Sequence, residues 1–141
     1  MTSMDVLGSR ILLHPADRAR SVRFYRDVLG LAIAREFGPI EAPGTVFFLG
    51  NGLLEISAEP SALSMADGAA ADQSTQFALW LQVRDVHAEH ARLQQAGVSV
   101  LRAPQTEPWG LIECWIADPD GVRVVLVEVP PNHPLRRDLR T

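Results

Sequence analysis

Two stretches of this chain repeat one pattern, and no other feature narrows the fold as far. The first reads Ser9-Arg-Ile-Leu-Leu-His14-Pro-Ala-Asp17 and continues as Arg18-Ala-Arg-Ser-Val-Arg-Phe-Tyr-Arg-Asp-Val-Leu-Gly30. The second reads Phe77-Ala-Leu-Trp-Leu-Gln-Val-Arg-Asp85 and continues as Val86-His-Ala-Glu-His-Ala-Arg-Leu-Gln-Gln-Ala-Gly97. Each is an apolar run ending in Asp, followed by a helical pattern ending in Gly. The Asp residues are 68 positions apart and the Gly residues 67. A duplicated module leaves a near-constant offset of this kind.

Local chemistry supports the duplication. Asp17 and Asp85 suit helix N-caps, because a short carboxylate accepts the orphan N–H groups of the first turn. Gly30 and Gly97 suit left-handed helix stops. Val22, Tyr25 and Leu29 recur at helical spacing, as do Val86, His90, Leu93 and Ala96. Strand-like runs follow each helix: Leu31–Glu36, Thr45–Leu49 and Leu53–Ala58 in the first half, Val98–Ala103, Leu111–Ala117 and Val122–Val129 in the second. Gly50-Asn-Gly52 and Asp118-Pro-Asp-Gly121 read as tight turns. Each half therefore reads strand, helix, three strands, an α+β pattern. The expected organisation is one domain spanning 1–141, with module one at about 9–58 and module two at about 74–129. A linker at 59–73, rich in Ala, Ser, Asp and Gly, joins them. The segment 130–141 holds three prolines and then four charges, which reads as an extended, solvated arm carrying Arg136, Arg137 and Arg140.

Composition removes several function classes. A length of 141 residues with 47% hydrophobic and 21% charged side chains suits one globular domain. A net charge of −4 provides no basic footprint for nucleic acid. The start MTSMDVLGSR lacks the apolar core of a secretory signal, and no apolar run approaches the roughly 20 residues of a membrane span. Cys114 stands alone, so no internal disulfide and no Cys-based zinc site is expected. The expected location is the cytoplasm.

Several segments together resemble the vicinal-oxygen-chelate superfamily, which includes glyoxalase I, ring-cleaving dioxygenases, fosfomycin-resistance enzymes and bleomycin-binding proteins. They are Arg23-Phe-Tyr-Arg-Asp-Val-Leu-Gly30-Leu31, Val83-Arg-Asp-Val86 with His90-Ala-Arg-Leu93, Glu107-Pro-Trp-Gly110, and Asp118-Pro-Asp-Gly121. The resemblance runs from about residue 9 to 129. It implies two tandem βαβββ modules forming a cupped, mostly antiparallel eight-stranded sheet. It does not fix a reaction, since the superfamily hosts many chemistries and also pure binders.

In metal-dependent members of that superfamily a divalent ion lies in the cup. His or Gln from the first strand of a module and Glu from the last strand hold it. The resemblance carries the first-strand positions to Arg10 and Ala78, and the last-strand positions to Glu55 and Val125. Of these four only Glu55 is a donor, whereas a transition metal takes three or four converging N, O or S ligands. Arg10 repels a cation. A shifted alignment would offer His14 or Glu128, but Glu128 has the opposite strand parity to Val125 and would face away. Neither a metal nor any other cofactor is expected.

On the same alignment Arg10, Leu12, His14, Glu55 and Ser57 face the cup, with Ala78, Trp80, Gln82, Val125 and Val127 from the second half. The expectation is an apolar bowl with an aromatic wall and sparse polar points, the lining of an organic-ligand site. An Arg10–Glu55 ion pair would stand in for the ion. The expected ligand-binding set is Arg10, Leu12, His14, Glu55, Ala78, Trp80, Trp109 and Val125. Arg10 at a strand end also reads as a residue snorkelling to water, and His14 as a structural histidine. Trp109, in a loop context, reads as a pocket lid or a dimer contact; Trp115 reads as core or as pocket wall. Cys114 is expected to be a buried, inert thiol. His90, on the apolar stripe of the second helix, reads as a packed and satisfied residue rather than a ligand.

Two functions fit these residues. The first is a homodimeric, metal-free protein that captures a hydrophobic or aromatic small molecule, sequestering an antibiotic or secondary metabolite. The second is a lyase, isomerase or dioxygenase-type enzyme acting on a small oxygenated substrate. In a metal-free form its catalytic candidates are His14 and Glu55 as acid–base groups, with Arg10 stabilising a developing oxyanion.

Overall fold

The computed structural model describes residues 3–57 and 76–135, which belong to two units, 1–71 and 72–141. The expected linker at 59–73 and the arginines Arg136, Arg137 and Arg140 lie outside the described residues. The first unit contains β1 (Ile11–Leu13), α1 (Arg18–Arg23), β2 (Ile33–Phe37), β3 (Gly44–Leu49) and β4 (Gly52–Ile56). The second contains β5 (Ala78–Gln82), α2 (Val86–Gln95), β6 (Val100–Thr106), β7 (Ile112–Ala117) and β8 (Arg123–Glu128). Both are strand, helix, three strands. The class is α+β.

The eight strands are hydrogen-bonded as two four-stranded sheets, ordered β1-β4-β3-β2 and β5-β8-β7-β6. In each, the first strand runs parallel to the last, and the other two ladders are antiparallel. Parallel neighbours cannot be joined by a tight turn, so the helix and two further strands lie between them in the chain.

Local chemistry sets the helix ends. Asp17 Oδ1 accepts from the Arg20 N–H at 3.1 Å, and Asp85 Oδ1 from the Ala88 N–H at 3.0 Å. α2 stops at Gly97, whose φ of 78° is left-handed. There the N–H of Val98 donates to Leu93 O and that of Gly97 to Gln94 O, a Schellman arrangement. The first helix ends differently. After α1 the chain continues as a π-helical turn, Phe24–Val28, with Leu29 N–H donating to Phe24 O and Leu31 N–H to Tyr25 O. A π turn holds one more residue than an α turn. That extra residue is the one by which the Asp17–Gly30 interval exceeds Asp85–Gly97. The sequence pattern predicts one uninterrupted helix here; the extra residue is accommodated as a widened turn.

Each sheet buries one face against its helix. In the first unit Leu13, Thr45, Phe47, Leu54 and Ile56 are buried, and the Tyr25 ring of the π turn lies 6.4 Å from that of Phe47. In the second unit Leu79, Cys114, Ile116, Val124 and Leu126 alternate onto one buried face, and Val86 and Leu93 of α2 are buried as well. Glu128 shares the parity of Val124 and Leu126, and its Oε1 accepts from the Val86 N–H at 3.0 Å. The side chain thus caps α2 rather than facing the opposite side of the sheet.

Two boundaries depart from expectation. β6 runs through Pro104 to Thr106, with register shifts at Arg102–Gln105. It is an edge strand, where a residue lacking an N–H is tolerated. The start of the expected extended arm instead turns back. His133 N–H donates to Pro130 O, and the His133 ring lies 2.9 Å from Trp109 O through Nε2 while Nδ1 accepts from the Leu135 N–H. Among the described residues no helix is long and apolar enough to cross a membrane. Replacing Asp85 by Ala is expected to lower the unfolding free energy by about 1 kcal/mol through loss of the cap, read as a lower urea midpoint with unchanged slope.

Candidate functional site

Alternation along each strand leaves one sheet face turned away from its helix. In the first unit the register sets Leu12 opposite Glu55 and Glu55 opposite Val46 on that face. Arg10, just before β1, reaches Glu55, with Nη1 2.6 Å from Oε1. The Glu55 side chain is well shielded and that of Arg10 is more open. His14 is exposed, and its Nδ1 lies 3.5 Å from Ser57 Oγ, a long contact. Leu12 and Phe48 are large apolar side chains left exposed beside these polar groups.

The corresponding face of the second unit has a different filling. Register sets Ala78, Trp80 and Gln82 of β5 opposite Arg123, Val125 and Val127 of β8. Val125 (8% exposed) and Val127 join Leu111 and Val129 in a buried cluster, with Ala78 and Trp115 packed against it. Ala78 and Val125, two of the expected ligand contacts, therefore pack against their own chain. Trp80, next to Val125, is 50% exposed.

Beside this cluster stands a polar network that the sequence pattern does not single out. Arg102 on β6 pairs with Glu107 and lies 3.8 Å from Glu113 on β7. Both carboxylates are buried at 7% exposure. Glu113 also accepts from the Trp115 Nε1–H at 3.2 Å. The Arg102 guanidinium carbon lies 3.7 Å from the Trp115 ring centroid, and that of Arg123 lies 4.6 Å from it. A guanidinium at such a distance is attracted to the indole quadrupole. Trp115 is thus the half-buried centre of a charged cluster, and not core alone. The parity of Glu113, Trp115, Arg123 and Val125 is readable in sequence. The shifted β6–β7 register that brings Arg102 to them is not.

Other candidates are placed less centrally. Trp109 is exposed in the turn Glu107–Gly110, where Gly110 N–H donates to Glu107 O and His133 engages the Trp109 carbonyl. Cys114 is fully buried, and burial pushes its thiol above the ordinary range against a weaker pull from Arg102. His90 Nε2 is buried with no hydrogen-bond partner among the described residues, so this ring nitrogen is not satisfied as expected.

The donor set does not fit a divalent metal. Arg10 occupies Glu55 in the first unit, and Ala78 and Val125 offer no lone pairs in the second. Among the described residues no three His, Cys, Asp or Glu side chains gather as a metal site would need. Glu128, the alternative donor, is committed to the α2 N-terminus.

Residues 9–126 match the sequence model of the glyoxalase/bleomycin resistance protein/dioxygenase superfamily. No curated protein matches the chain significantly. Among solved structures the chain is similar to TnmS3, an antibiotic binding protein from Streptomyces sp. CB03234. The identity is 22%, with 92% of this chain and 100% of that one covered at a TM-score of 0.67. It is also similar to TioX from Micromonospora sp. ML1, at 22% identity, 86% and 95% coverage and a TM-score of 0.65. A third is a glyoxalase-related enzyme from Fulvimarina pelagi, at 22% identity, 90% coverage of both chains and a TM-score of 0.67. At these identities the likeness is one of fold.

Arg102→Met strands two buried carboxylates. It is expected to destabilise the fold by about 2 kcal/mol, below the fully buried case because Arg102 retains some solvent access, as read by denaturant unfolding. The Cys114 thiol titrates higher when folded than when unfolded. Its contribution is intact below the unfolded value and is lost as pH rises through the folded one. Part of the fall in stability above about pH 9 is therefore expected to vanish in Cys114→Ala, measured as urea midpoint against pH.

Proposed function

The chain belongs to the glyoxalase/bleomycin resistance protein/dioxygenase superfamily, and from that membership we propose that it captures a hydrophobic or aromatic small molecule without a metal and without turnover. An antibiotic or secondary metabolite held away from its target is the class of ligand. The observation that carries this reading is Trp80, an indole left half exposed on the helix-free face beside Val125 and the Trp115 cluster. Apolar lining with a few oriented polar groups is what an organic ligand requires. The metal-ligand positions, filled by Arg10, Glu55, Ala78 and Val125, favour binding over metal chemistry. The antibiotic binding protein TnmS3, similar in fold, lends the reading further support.

The proposal includes a homodimer, since closed two-fold pairs are the commonest assembly of soluble chains. It also includes the cytoplasm, where a lone thiol such as Cys114 stays reduced. In the first unit Leu12, Arg10 and His14 are the groups offered to ligand, and in the second Trp80 and Trp109.

A second reading is a metal-free lyase or isomerase, favoured by the exposed His14 ring near Ser57 and by likeness to a glyoxalase-related enzyme. The Arg10 pairing occupies the Glu55 carboxylate, so this reading assigns the acid–base role to the exposed His14 ring. Turnover that disappears in His14→Ala with binding retained would select this reading.

Titrating the protein with planar aromatic natural products is expected to quench tryptophan fluorescence with micromolar or tighter affinity. Trp80→Ala should weaken the best binder about tenfold or more. A broad panel with no binder overturns the capture reading. Light scattering on the eluting protein is expected to give twice the chain mass of 15.5 kDa.

A further inference from the structure

The Trp115 indole has two guanidiniums against it, and they differ in one respect. Arg102 is held by two carboxylates, Glu107 and Glu113. The Arg123 guanidinium, whose carbon is 4.6 Å from the same ring centroid, makes no hydrogen bond or ion pair among the described residues. Its strand neighbours explain its openness. Register sets it between Ala78 on β5 and Ala117 on β7, two side chains too short to cover it. Two residues along β8, Val125 stands between Trp80 and Trp115. The free guanidinium thus lies on the same face as an exposed indole and next to a buried apolar cluster.

We infer that Arg123, backed by Trp115 and flanked by Trp80, is a subsite for the carboxylate of a planar aromatic ligand. The inference rests on the capture reading and narrows its ligand class. A guanidinium fork presents paired donors that match the two oxygens of a carboxylate. Stacking on Trp115 restrains the Arg123 side chain, so less rotamer freedom is lost when the ligand arrives. The attached ring system then lies toward Trp80, whose exposed indole supplies a stacking surface. Arg102 cannot serve in place of Arg123, because two buried carboxylates already hold it.

The test compares two probes on the full chain by calorimetry, 1-naphthoate and the neutral 1-naphthamide. The expected result is naphthoate binding about tenfold or more tighter than naphthamide, with the gap narrowing as salt is raised. Arg123→Met should weaken naphthoate and bring the two probes to a common affinity, with naphthamide no weaker than in the wild type, and Arg123→Lys should keep only part of the gap. A thermal melt of each variant separates loss of binding from loss of fold. Were Arg123→Met unfolded, the wild-type probe gap and the Arg123→Lys variant would still decide the question. Equal affinity for the two probes, or a gap that survives in Arg123→Met, overturns the subsite and leaves the capture reading standing. Failure of both probes to bind overturns the subsite; the capture reading falls with it only when the broad panel of aromatic natural products also yields no binder.

Discussion

The parallel ladder between the first and last strand of each unit is the constraint on which the remaining geometry depends. A strand can lie parallel to its neighbour only if the intervening chain crosses back, and here a helix and two strands make that return. The helix then covers one sheet face and the other is left for side chains with different duties. The same ladder fixes who meets whom. It sets Leu12 beside Glu55, bringing Arg10 within reach of that carboxylate, and it sets Ala78 and Trp80 beside Arg123 and Val125. Shifting either ladder by one residue would exchange the two faces entirely.

The two units solve the same folding problem with the same devices and differ by one helical residue. Asp17 and Asp85 cap with the same hydrogen-bond pattern, and Gly30 and Gly97 share a left-handed backbone near 77–78°. The extra residue of the first helix is taken up by the π turn around Tyr25, whose ring packs toward Phe47. Widening one turn preserves both ends of the helix, and so preserves the strand that follows. An insertion absorbed at a sheet strand would instead have changed side-chain parity downstream.

What was legible in the sequence was what depends on near neighbours. The caps, the glycine stops, the strand–helix–three-strand order and the parity of Glu128 follow from spacings of a few residues. The π turn was present only as an offset of 68 against 67, which shows an extra residue but not where the helix holds it. The extension of β6 past Pro104 was hidden because a proline ends a strand unless that strand is an edge, and edges are a property of the assembled sheet. The Arg102, Glu107, Glu113 and Trp115 cluster was hidden for a related reason. Its members lie on two strands and a turn whose ladder is interrupted by register shifts, and no periodicity in the chain records those shifts.

The charged groups of the two helix-free faces are arranged differently. On the first, the shielded Glu55 carboxylate is matched by Arg10 at 2.6 Å, and toward the sheet edge the exposed Arg35 guanidinium carbon lies 5.9 Å from the Phe37 ring centroid. Leu12 and Phe48 stand exposed beside the Arg10–Glu55 pair. On the second, two carboxylates and one guanidinium are locked together, and a further guanidinium rests on Trp115 without an ionic partner among the described residues. Removing water from an unpaired cation is unfavourable unless an anion replaces it. On the capture reading, the second face would therefore disfavour a neutral ligand laid directly over Arg123 and favour one that brings its own negative charge. Discrimination of this kind needs no metal: a penalty against the wrong ligand and a paired contact for the right one act at the same guanidinium.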